Sequence, residues 1–158
     1  MTDDKMFKQA HDTFKTMCKA LDADDWHYEK NEDELKITCT AQGEDLPIPI
    51  VIRVNPDKAL VSVYSYLPFA IPEDRRREMA VAIARANNGL TDGSFDYNYS
   101  DGTVLFRVTT SIFDSIISAN ALKYMVLCAC HTVDNYNDKF LMVAKSEMTC
   151  DEVAKFIE

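Results

Sequence analysis

The chain has 158 residues, 47% of them hydrophobic and 27% charged, which is enough for one domain with a buried core and excludes a disordered tail. A net charge of −9 speaks against a nucleic-acid binder, which carries a basic stripe, and against docking on an anionic membrane.

Phe7, Ala10, Phe14, Met17 and Leu21 recur at spacings of three and four and predict an amphipathic first helix. Thr2 is its expected cap, and Asp3 and Asp4 fall where the positive end of the helix dipole favours carboxylates. From Trp26 to Leu67 the period becomes two. Leu35, Ile37, Cys39 and Ala41 form one alternating row, and Ile48, Ile50, Ile52 and Val54 a second. Pro49 lies inside that second row, so its strand either begins there or sits at an edge. Asn55-Pro56-Asp57-Lys58 reads as a type I turn leading into a third strand, ALVSVYSYL, with a short extra strand at Trp26 to Lys30.

Pro72 suits the first turn of a second helix, buried through Met79, Ile83, Ala86 and Leu90 and capped at Gly89. Arg75, Arg76 and Arg77 stand among acidic residues and read as a solvated helix face rather than a phosphate site. In FDYNYSDGTVLFRV, Asp101-Gly102 reads as a two-residue hairpin turn, which sets Phe95 against Val108, Tyr97 against Phe106 and Asp96 against Arg107. A long helix follows from about Asn120 to Lys145, and a short last one begins at a Thr149 cap and docks through Val153 and Phe156. The order α-β-β-β-α-β-β-α-α predicts an α+β fold over residues 1–158. A three-strand meander and a hairpin make one antiparallel sheet packed with helices.

Catalytic, cofactor and metal sites are not expected. The three histidines, His11, His27 and His131, sit in no motif that pairs them with a nucleophile, and four glycines make no phosphate loop. HExxH, Cys-x-x-Cys and EF-hand patterns are missing, and the acidic groups Asp22, Asp24, Asp25 and Glu32, Asp33, Glu34 read as loop decoration. Cys18, Cys39, Cys128, Cys130 and Cys150 are an odd set without small-scaffold spacing and predict free thiols in a reducing compartment. The polar, acidic N-terminus resembles neither a signal nor a transit peptide, and no window reaches the roughly 18 apolar residues of a membrane span. The expected location is cytoplasmic.

The stretch ALKYMVLCACH, residues 121–131, looks like chemistry but reads otherwise. At about 100° per residue, Cys128 and Cys130 diverge and cannot share a metal. Leu122, Val126, Ala129 and Val133, continued by Tyr136, Phe140 and Val143 at spacings of three and four, account for one buried face. Tyr124, Leu127 and His131 fall on the opposite side, either beneath the final helix or free as a dimer contact or a groove for a partner.

ARANNGLTDGSFDYNYSDGTVLFRV, with DNYNDKFLMV in the long helix, resembles the YbjN family over roughly residues 20–145. Asn88, Gly93, the Asp101-Gly102 turn, Asp134 and Tyr136 carry the likeness. The resemblance implies a fold similar to the small dimeric chaperones of type III secretion, and a sensory or secretion-related regulator rather than a shared chemistry. The expected function is a non-catalytic protein-interaction module, chaperone-like or regulatory, acting as a homodimer through Tyr124, Leu127 and His131 or through an exposed strand edge. The alternatives are an acidic immunity protein that caps a basic toxin, and a small-molecule sensor.

Overall fold

A computed structural model of the chain describes residues 3–157; the Thr2 cap lies outside them. The elements run α1 (Asp3–Ala23), β1 (Glu29–Asn31), β2 (Lys36–Ala41), β3 (Ile48–Asn55), β4 (Leu60–Ala70), a 3-10 turn (Glu73–Arg75), α2 (Arg76–Gly89), β5 (Ser94–Asn98), β6 (Thr103–Ser111), α3 (Ala119–Ala144) and α4 (Cys150–Ile157). This is the expected α+β order. The extra strand falls at Glu29–Asn31 and makes the meander four-stranded.

All six strands form one antiparallel sheet in the order β1-β2-β3-β4-β6-β5. Period-two patterning decides its faces. Ile37, the Ile48–Val54 row, Val61, Val63, Phe95, Val104, Phe106 and Val108 point into one core. Over that face α3 crosses β4 and β6, with α1 and α2 packed on its flanks. Among the described residues no helix covers the opposite face of the sheet, which displays residues such as Arg53, Tyr66, Arg107 and Thr109. Pro49 pairs with Thr40 of β2 but precedes the β3–β4 ladder, which starts at Val51, so it removes no bond from the middle of the sheet.

The hairpin register differs from expectation by two residues: Phe95 faces Phe106, and Tyr97 faces Val104. Residues 99–102 form a four-residue loop in place of a two-residue turn. Side chains favour the longer loop. Asn98 Oδ1 accepts from the Ser100 N–H (3.1 Å), Asp101 Oδ1 accepts from Thr103 (2.8 Å), and the Gly102 N–H donates to the Asn98 carbonyl (2.8 Å). A shift of two keeps every side chain on its expected face. Asp96 therefore still pairs with Arg107 at 2.9 Å, now on the diagonal.

Helix ends depart from expectation in three places. α2 finishes on Gly89 itself and Leu90 follows in extended backbone, so the left-handed residue comes later, at Gly93 (φ 70°). Arg75 and Arg76 are not simply solvated. Arg75 donates to the Val143 and Met148 carbonyls at 2.9 and 3.2 Å, and Arg76 to those of Ile71 and Ser100 at 3.2 and 2.8 Å. Carbonyls at and just beyond the end of α3, the negative end of its dipole, suit the Arg75 guanidinium. Thr149 does cap α4, as a reciprocal box with Glu152 (3.2 and 2.7 Å). Val153 docks this helix together with Ala154, whereas Phe156 is 65% exposed and lies beneath the Lys139 ammonium, 5.5 Å from its ring centre.

β5 is an outer strand, and Asn87 of α2 covers its free side. The Asn87 amide accepts from the Phe95 N–H (2.7 Å) and donates to the Phe95 carbonyl (2.9 Å), as a neighbouring strand would. Asn87→Ala leaves both main-chain groups unpaired in a half-buried place and is expected to cost about 2 kcal/mol. Calorimetry reads this as a fall in Tm of roughly 4–8 °C; an unchanged Tm would mean that the clamp contributes nothing.

Candidate functional site

α3 begins where Ser118 accepts a hydrogen bond from the Ala121 N–H (3.1 Å). Its inner stripe of Leu122, Val126, Ala129, Val133, Phe140 and Val143 is buried, as the spacing predicted. Tyr136, on the same stripe, is half-buried against the rings of Phe95 and Phe140. Tyr124 and Leu127 are 54% and 50% exposed on the outer side, and His131 is exposed one turn further on. α4 leaves these three residues uncovered, because it packs on α2 and makes few contacts with α3, and Arg75 holds the end of α3 and the Met148 carbonyl of the connection that leads into α4. The expected patch is therefore assembled on one accessible stripe.

Tyr124 is not a loose aromatic. Its hydroxyl donates to the Asp92 carboxylate at 2.7 Å, which pushes the phenol's pKa up. Cys128 lies one turn along, its thiol directed at the Asp92 carbonyl at 4.0 Å. Cys130 turns the other way, toward Cys39 and Asp134. Burial pushes the thiols of Cys39 and Cys130 up to about 11, so both stay protonated near neutrality and are poor nucleophiles and ligands. All five cysteines are unbridged. Among the described residues no three His, Cys, Asp or Glu side chains gather to hold a metal, and no helix is long and apolar enough to cross a membrane.

Asp134 does not simply face water. Instead its carboxylate accepts from the Glu44 N–H at 2.9 Å and closes on the β2–β3 loop at Gly43, where a Cβ would meet Asp134 at 2.6 Å. That contact pins a distant loop to the helix and explains why an acid sits there.

Beside Tyr124 is a cleft of about 480 Å³ between the start of α3 and β6, walled by Ile117, Ala121, Tyr124 and Met125. Its floor follows from strand lengths. β5 stops at Ser94, opposite Arg107, while β6 continues to Ser111. Since Asn87 holds the N–H and carbonyl of Phe95 on the outer side, pairing alternates so that Arg107, Thr109 and Ser111 turn their main-chain groups toward the β5 side. Among the described residues no strand lies alongside Thr109 or Ser111 on that side. Sequence reasoning missed both Asp92 and this overhang. The unequal lengths of the two hairpin strands were the signal, and a two-residue turn concealed them.

The family model that matches the chain is YbjN, described as "Putative bacterial sensory transduction regulator", over residues 13–142. The comparison with curated proteins gives no match. A match over most of the 158 residues, spanning the sheet and nearly all of α3, settles the family: the chain belongs to YbjN.

Proposed function

We propose that the protein is a non-catalytic interaction module, regulatory or chaperone-like, that works in the cytoplasm as a homodimer. The carrying observation is the apolar outer face of α3, where Tyr124 and Leu127 stay about half exposed on an element otherwise fixed in the core. A rigid helix that presents a Tyr and a Leu at i and i+3 suits an isologous contact, in which the same stripe meets its own copy. Desolvated aromatic and aliphatic anchors of this kind carry most of an interface's energy. The family's description as a sensory transduction regulator agrees with a protein that works by contact. The chaperone-like part of the reading draws on the edge of β6. Thr109 and Ser111 offer main-chain donors and acceptors to an extended segment, and Tyr124 stands over it.

Sedimentation tests this directly. The native chain is expected to sediment at twice its 17.9 kDa mass. Leu127→Asp places a charge in the contact and should weaken the dimer by about a hundredfold or more. Its thermal midpoint as a monomer should hold, because Leu127 is not part of the core. A native protein that is monomeric throughout the micromolar range would overturn the dimer.

A further inference from the structure

We infer that the helix-free face of the sheet holds a second site, for a small phosphate-bearing ligand. Register places Arg53 of β3, Ser62 of β4 and Thr109 of β6 in one row across three adjacent strands, and Tyr64 and Arg107 in the next row. These five line one side of a basin of about 340 Å³ that the β3–β4 turn closes, with Lys58 at its rim. The hydroxyls of Ser62 and Thr109 lie 2.9 Å apart. One proton joins them, and the second is free to point at a ligand.

Donors dominate the floor. Arg107 is partly spent on Asp96 at 2.9 Å. Arg53 is different: among the described residues no ion pair engages Arg53, Lys36 or Lys58. Moreover Lys36 is the direct cross-strand partner of Arg53, on the same face, and like charges so placed repel. A chain with net charge −9 thus concentrates uncompensated cations on one strip of sheet. Glu34 and Asp57 also border the basin, yet neither comes within ion-pairing distance of Arg53. An oxyanion over Ser62 and Thr109 would relieve the repulsion, and a guanidinium fork matches phosphate oxygens two at a time. The site lies on the side of the sheet away from α3, so it stands or falls independently of the dimer.

The probe is inorganic phosphate, titrated against the native protein at constant ionic strength with amide NMR as the readout. Saturable shifts centred on Ser62, Tyr64 and Thr109 are expected, with a Kd on the order of 1 mM for phosphate alone. Arg53→Ala should raise that Kd by about tenfold or more. Lys19→Ala removes the same charge from the exposed side of α1 and should leave it unchanged. Shifts that do not saturate, that acetate reproduces at equal ionic strength, or that survive Arg53→Ala would each overturn the site.

Discussion

Gly102→Ala is expected to destabilise the protein by about 3–5 kcal/mol, one of the two largest effects foreseen for a single substitution. Gly102 has a φ of 78°, in the left-handed region that costs alanine about 1–2 kcal/mol. An added Cβ would also lie 2.2 Å from the Ile71 carbonyl oxygen and 2.8 Å from its nitrogen. Both are backbone atoms, so no side chain can swing aside. The chain must instead separate, which breaks the bond from the Ile71 N–H to the Gly102 carbonyl at 2.9 Å. That contact joins the hairpin loop to the entrance of α2, and Arg76 reinforces it through the Ser100 carbonyl. Urea unfolding measures the loss. A decrease below about 1 kcal/mol would mean that the hairpin loop does not press on Ile71 in solution.

Phe95→Ala should be comparably severe, at about 3–5 kcal/mol, lowering Tm by roughly 6–20 °C. Phe95 is buried at the hub of an aromatic cluster, its ring edge-on to Phe106, Tyr136 and Phe140 at 5.2, 5.3 and 5.1 Å. Truncation removes three edge-to-face contacts as well as the buried area. The cavity cannot readily collapse, because Asn87 grips the Phe95 main chain from the outer side while its neighbours Ser94 and Asp96 pair with Arg107 and Leu105 of β6. Since the Asn87 clamp and the Phe95 ring act on one residue, the Asn87→Ala and Phe95→Ala losses should not add. Chemical denaturation of both single variants and the double variant checks this. Strict additivity would show that clamp and ring act independently.

Faces were legible in the sequence because side-chain periodicity reports burial whatever the register. The alternation from Ile48 to Val54 and the three-four spacing from Leu122 to Val143 named the core sides of β3 and α3 correctly. Phe95 and Phe106 were likewise placed on one side of the hairpin, although Phe106 was given to Tyr97 as its partner. A slip of two residues is invisible to a pattern whose period is two. Tyr124 and Leu127 were identified as an outer stripe, but periodicity could not say whether α4 covered them. The answer depended on Arg75 and the Thr149–Glu152 cap, which direct α4 along α2.

Local chemistry by itself determined the order of elements, the faces they bury and the stripe of α3 left over, since those depend on residues a few positions apart. Tertiary structure alone decided what meets across long separations: Asp92 with Tyr124, Asp134 with the Gly43–Glu44 loop, and the row of Arg53, Ser62 and Thr109. The physical reason is that a strand's neighbours are chosen by sheet order and register. In this chain β6 inserts between β4 and β5, so residues more than forty positions apart become adjacent, and both the free edge and the Ser62–Thr109 contact beside Arg53 exist only once that insertion is made.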